Sequence, residues 1–62
     1  MNTFANLPLE SAFRFDVKGK SRNIFTKVAN NKARDCYGVE QWVAPKKNTC
    51  AWWDQSMTVE VV

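Results

Sequence analysis

From Phe13 to Val17 apolar and charged residues alternate, with Phe13, Phe15 and Val17 on one side and Arg14 and Asp16 on the other. A period of two marks a strand with one buried and one wet face, and it predicts a strand near residues 12–18. The polar run 18–23, with Gly19 inside it, reads as a turn, and residues 24–28 as the returning arm of a basic hairpin. That second strand, near 23–29, has two apolar faces to choose between. With Ile24 and Val28 in the core, Phe25 stands on the wet side beside Lys27 as a stacking platform. A loop or a local bulge would instead bury it.

The pattern continues in short pieces. Pro8 sets a turn or a single helical turn in the lead-in, where Leu7 and Leu9 are expected to cover one end of the sheet. Asn30 and Asn31 form a turn, because Asn tolerates the left-handed region. A third strand is expected at 32–37 and, after Gly38, a fourth at 39–43. Pro45, Lys46 and Lys47 place a solvated loop at 44–48. Residues 49–53 and 57–61 read as a last hairpin around 54–56. No window keeps apolar positions at helical spacing. Short strands with frequent turns point to a closed or nearly closed small barrel, which also protects its strand edges. The expected core is Phe13, Phe15, Val17, Ile24, Val28, Trp52, Val59 and Val61.

Sixty-two residues make one domain. A chain this short buries about 60% of its unfolded surface, and one core of this size supplies about 3–5 kcal/mol. Eight aromatic rings (Phe4, Phe13, Phe15, Phe25, Tyr37, Trp42, Trp52 and Trp53) supply unusual mass for that core and argue for a folded domain. The adjacent pair Trp52-Trp53 must point to opposite faces of a strand. Trp52 is assigned to the core and Trp53, with Trp42, to a protein interface; a loop over the second ring is the other reading.

Net charge is +3 and unevenly spread: residues 1–34 carry seven basic and two acidic groups, and residues 35–62 two basic and four acidic ones. A basic half attracts phosphates or an acidic protein surface. The opening residues have no secretory pattern and no apolar run approaches a membrane span, so a cytoplasmic protein with no membrane partner is expected. Cys36 and Cys50 are expected to be free, buried thiols, a disulfide between them being the alternative.

There is no histidine. That removes the commonest general base near neutral pH and the Ser-His and Cys-His nucleophile pairs. Two cysteines alone do not make a four-ligand zinc site, and the two isolated glycines form no phosphate-cradling loop. Neither an enzyme nor a cofactor is expected.

Residues 4–15, read as Phe4-Ala5-Asn6-Leu7-Pro8-Leu9-Glu10-Ser11-Ala12-Phe13-Arg14-Phe15, carry a resemblance. With Phe25-Thr26-Lys27-Val28, Ala33-Arg34-Asp35 and Val59-Glu60-Val61, the chain resembles a loose group of very small phage and bacterial proteins. The resemblance implies an SH3-like barrel and a mobile-element origin, and carries over no functional residue. Glu10 stands where that pattern usually has glycine. The expected fold is therefore an all-β, SH3-like small barrel of about five short antiparallel strands.

Two binding functions are expected. In the first, nucleic acid is held by Arg14, Lys18, Lys20, Arg22 and Lys27, with Phe25 as the stacking platform and Trp42 or Trp53 as further candidates for that role. In the second, the chain engages a host protein through Trp42 and Trp53. Self-association as a homodimer through the terminal strand, with Thr58 and Glu60, is a further possibility.

Overall fold

A computed structural model describes residues 2–62; Met1, the first residue of the opening segment, lies outside the described residues. Seven short strands follow in chain order: β1 (Asn2–Thr3), β2 (Ala12–Phe15), β3 (Phe25–Ala29), β4 (Lys32–Arg34), β5 (Glu40–Ala44), β6 (Trp53–Asp54) and β7 (Thr58–Val61). One 3-10 turn, Phe4–Asn6, lies between β1 and β2. Among the described residues no helix is long and apolar enough to cross a membrane. The fold is all-β.

The strands form one mixed sheet in the order β1-β7-β2-β3-β4-β5-β6. Seven strands replace the expected five, and the β5–β6 pair is parallel. The cause is the 45–52 loop, which crosses over and returns the chain alongside β5 in the same direction. Consequently the expected last hairpin does not pair with itself: β6 bonds to β5, while β7 bonds to β2 and β1. The two ends of the sheet are tied through the turn between β6 and β7. Gln55 N–H donates to Ala44 O at 2.9 Å, and Gln55 O accepts from Ala5 N–H at 3.1 Å.

Register decides which faces are buried. Phe13 pairs with Phe25, so Phe25 shares the inward face of Phe13. This reverses one expectation: Phe25 and Lys27 are interior, while Ile24 is exposed and Val28 only half-buried. The same argument reverses the tryptophans. Trp53 pairs with Val43, whose side chain is fully buried, and Trp53 is accordingly buried while Trp52 is exposed. Val61 closes the β7 ladder at its end and stays exposed, and Val17 is half-buried just past β2. Leu7 is buried but Leu9 is not. Both cysteines are free, and contrary to expectation both are exposed. Each sits in a tight turn, Cys36 in the one closed by Gly38 N–H on Asp35 O and Cys50 in the one closed by Ala51 N–H on Asn48 O.

The core is Phe4, Leu7, Phe13, Phe15, Phe25, Ala33, Val43, Trp53 and Val59, with Met57 packed against it. Its rings meet in two ways. Phe15 stacks on Trp53 with centroids 4.0 Å apart and planes at 11°. Phe13 and Phe15 meet edge to face at 5.1 Å, and Phe25 meets Trp53 similarly at 5.3 Å. Such geometries contribute about 0.5–1.5 kcal/mol per pair beyond area burial.

Among these rings lies one cation. Lys27 is only 2% exposed. Its Nζ donates to Leu7 O at 2.7 Å and to Phe4 O at 3.0 Å, and it lies 4.7 Å from the centroid of the Phe4 ring. The Lys27 backbone continues the ladder, donating to Ser11 O and accepting from Glu10 N–H. At this point Glu10 takes φ 71°, the left-handed region in which glycine meets the least strain.

Two predictions follow from these contacts. Replacing Lys27 by Met leaves Leu7 O without its donor, and urea unfolding should show a loss of about 1–3 kcal/mol; an unchanged or raised midpoint contradicts the clamp. Burial lowers the Lys27 pKa. Between that lowered value and the ordinary one of about 10.4, the unfolded chain holds a proton that the folded chain has released, so rising pH favours the fold in that window. The stability difference between wild type and Lys27→Met should therefore widen toward alkaline pH. At Glu10, substitution by Gly relieves the left-handed strain and should stabilise the protein by about 0.5–1 kcal/mol net of the added chain entropy. Glu10→Ala keeps the strain, so equal midpoints for the Gly and Ala variants refute this account.

Candidate nucleic-acid interface

The basic hairpin tip expected at 18–23 is a loop, 16–24, joining β2 to β3. Gly19 takes φ 83° at its bend, and Lys20 N–H closes a turn on Val17 O at 3.1 Å. A second loop, 45–52, joins β5 to β6. Asn48 shapes it by accepting Cys50 N–H on Oδ1 at 2.9 Å, an Asx turn of the kind Asn favours.

Lys20 holds the two loops together. Its Nζ donates to Trp52 O at 2.7 Å and stands 3.9 Å from the centroid of the Trp52 ring. The same ammonium lies 5.7 Å from the Trp53 ring. From 17 to 24 and from 45 to 52 the chain has no acidic residue, while it carries Lys18, Lys20, Arg22, Lys46 and Lys47. Lys18, Lys46 and Lys47 are exposed.

The remaining predicted residues fall elsewhere. Arg14 and Arg22 share Glu60, at 3.5 and 3.3 Å, and Arg22 also meets Asp16 at 2.9 Å. These are exposed pairs, worth about 0–1 kcal/mol each, and they partly neutralise this flank. Phe25 and Lys27, assigned to nucleic-acid contact, lie inside the protein and cannot reach a ligand without unfolding. Of the two tryptophans assigned to a protein interface, Trp42 is 53% exposed and Trp53 is buried. The residues that sequence reasoning left out are Lys46, Lys47 and Trp52. Their signal was present in the acid-free stretch 45–53, but nothing local says that this loop lies against the 17–24 loop.

Trp42 stands on β5 opposite Lys32 of β4, and Arg34 lies opposite Glu40 two residues along. Glu40 forms long ion pairs with both Lys32 and Arg34, at 3.8 and 4.0 Å. The turn that launches β5 is organised by Asp35. Its Oδ1 accepts from Tyr37 N–H at 2.9 Å and Val39 N–H at 3.0 Å, and its Oδ2 accepts from Gln41 Nε2 at 3.0 Å. The Val39 amide, with help from Gln41 and Tyr37 and against some desolvation, holds the Asp35 carboxyl below the usual carboxylate range.

Comparison of the chain with protein-family models, with curated protein sequences and with solved structures found no match.

The Asp35 turn yields a prediction in acid. A carboxyl whose folded pKa is depressed contributes stability above its unfolded value and loses it as pH falls through the folded one. The urea midpoint of the wild type should drop between about pH 6 and pH 2.5 by more than that of Asp35→Asn, whose amide does not titrate. Identical acid limbs for the two proteins would show that Asp35 makes no difference.

Proposed function

We propose that this protein is a non-enzymatic binding module, built as a small SH3-like barrel, whose ligand is nucleic acid. The observation that carries the reading is the pair of loops joined by Lys20 on Trp52, whose stretches 17–24 and 45–52 hold five basic residues and no acidic one along the sequence. Phosphate chains are recognised by such one-signed surfaces through counterion release. The barrel reading rests on Gln55, which bonds both to the end of β5 and to the segment following β1 and so ties the sheet's ends. The lack of histidine in the chain supports a role in contact rather than catalysis.

The contact surface differs from the one suggested by the linear run of basic residues. Lys18, Lys20, Lys46 and Lys47 form its centre, and Arg22 stands at its edge, shared with Asp16 and Glu60. Arg14 contributes to the field and is held by Glu60.

The test is binding of a fluorescein-labelled unstructured oligonucleotide, followed by anisotropy between 50 and 200 mM salt, conditions across which phosphate-driven affinity falls by orders of magnitude. Wild type should bind at low salt and weaken steeply. The double variant Lys46→Glu/Lys47→Glu should bind more weakly and lower the log–log salt slope by about 1.4, at roughly 0.7 per single-strand phosphate contact. Affinity independent of salt, or no binding at 50 mM, would remove the reading.

A further inference from the structure

We propose that Trp42 is the stacking site for one unpaired base of a single-stranded nucleic acid, with Lys32 and Arg34 of the neighbouring strand receiving the phosphates beside that base. This deepens the function proposed above and rests on it. The antiparallel register of β4 and β5 places the three side chains. Lys32 lies opposite Trp42, Ala33 opposite Gln41 and Arg34 opposite Glu40. Opposite residues share a face of the sheet, and so do alternate residues along one strand. Ala33 is buried, whereas Lys32, Arg34, Glu40 and Trp42 are all exposed. These four therefore stand together on the outer face. On the far side of Arg34 its partner in β3 is Thr26, a short side chain that keeps the face low there.

Of the three indoles, that of Trp42 is the one left open. Trp53 is buried on Phe15, and Trp52 packs edge to face on Trp53 beneath the Lys20 ammonium. Trp42 is 53% exposed. Among the described residues its ring meets no other aromatic ring, and no cation stands over it. Beside it two cations face a single carboxylate. Glu40 reaches Lys32 at 3.8 Å and Arg34 at 4.0 Å, long exposed pairs that solvent and salt screen. One positive charge on the patch stays uncompensated.

The occupant follows from charge and shape together. An open apolar ring beside surplus positive charge matches a ligand that joins planar rings to anions. Bases in a duplex have their faces covered by neighbouring pairs, whereas an unpaired strand can present them to tryptophan. An acidic peptide stretch answers the cations but brings the indole no planar partner. The same strand also leads to the basic loops. Lys46 follows Trp42 by four residues, so their Cα atoms are at most about 14 Å apart. One short oligonucleotide can thus touch both.

The test compares a single-stranded oligo-dT, a duplex of equal length and an oligoglutamate, each fluorescein-labelled and followed by anisotropy at low salt. Trp42→Ala should weaken single-strand binding by about 5- to 150-fold, the range of base–aromatic stacking. Its duplex binding, driven by phosphates, should change by less than about threefold. Trp42→Phe should retain most of the affinity, since a smaller ring still stacks. Near-ultraviolet circular dichroism confirms that the Trp53–Phe15 core is intact in each variant. Lys32→Gln/Arg34→Gln should weaken single-strand binding and flatten its salt dependence; a slope equal to that of wild type places the strand elsewhere and overturns the site. If Trp42→Ala binds the single strand as wild type does while Lys46→Glu/Lys47→Glu loses it, the stacking site is refuted and the basic surface stands. Equal losses for single strand and duplex refute the stacking site as well. Oligoglutamate binding that exceeds that of oligo-dT and is lost in Trp42→Ala assigns the ring to an acidic protein and overturns the proposal. If wild type binds neither nucleic acid, both proposals fall.

Discussion

The ammonium of Lys27 ties the N-terminal segment, whose first strand pairs with β7, to β3 in the middle of the sheet. A buried cation is costly unless its protons are taken up, and here two backbone carbonyls, Phe4 O and Leu7 O, take them. These carbonyls belong to a short 3-10 turn and its exit: Phe4 O also accepts the Leu7 N–H at 3.2 Å, and Leu7 O lies where the turn has ended. Each side thus meets a need of the other. Once Phe4 is fixed, its ring covers Phe13 and Phe15, at 5.6 and 6.0 Å between centroids. Its N–H bonds Met57 O, and the next residue reaches Gln55 O. Gln55 in turn bonds Ala44, at the point where the 45–52 loop leaves the sheet. The candidate site therefore hangs on a chain of contacts that starts at a single buried lysine.

Much of the fold was legible where one pattern had only one reading. Phe13 and Phe15 alternate with charged neighbours, and they are core. Asn30-Asn31 and Pro45 mark the turn and the loop where they are found. The second strand was not legible because both of its faces carry apolar residues, and local pattern cannot choose between Ile24 with Val28 and Phe25 with Lys27. The choice was made by Phe13 opposite Phe25 and by two carbonyls 20 and 23 residues away in sequence. A lysine also counts against burial in any local reading, although a lysine with its protons taken up is tolerated inside. Trp52 and Trp53 present the same difficulty. Their alternation was evident, but its phase depended on β6 running parallel to β5, and parallel pairing requires a crossover that leaves no local mark in eight residues of loop.

The site was legible to the extent that charge is local. Lys18 and Lys20 lie on the loop where their sequence neighbours place them. Arg14 and Arg22 read as part of the same basic run, yet Glu60, 46 and 38 residues away, draws both onto the sheet's flank. Conversely, Lys46 and Lys47 sit in the half of the chain with an acidic surplus, but the acids of that half are engaged elsewhere: Asp35 in its own turn, Asp54 with Ser56, Glu40 with Lys32 and Arg34, and Glu60 with the arginines. Charge summed along the sequence thus misstates the field. What matters is which acids the fold has already given a partner.

The same separation explains why two tryptophans remain outside a core that is short of apolar mass. A buried indole removes on the order of 150–250 Å² from water, a large contribution for a domain this small. The inward positions of β5 and β6 are already filled by Val43 and Trp53, with Trp53 stacked on Phe15. The residues before them, Trp42 and Trp52, are exposed, whereas those after them, Ala44 and Asp54, are buried. A polar residue in place of Trp42 would leave the packing of Phe15, Phe25 and Trp53 intact and would give a more soluble surface, whereas the Trp52 ring meets Trp53 edge to face at 5.8 Å.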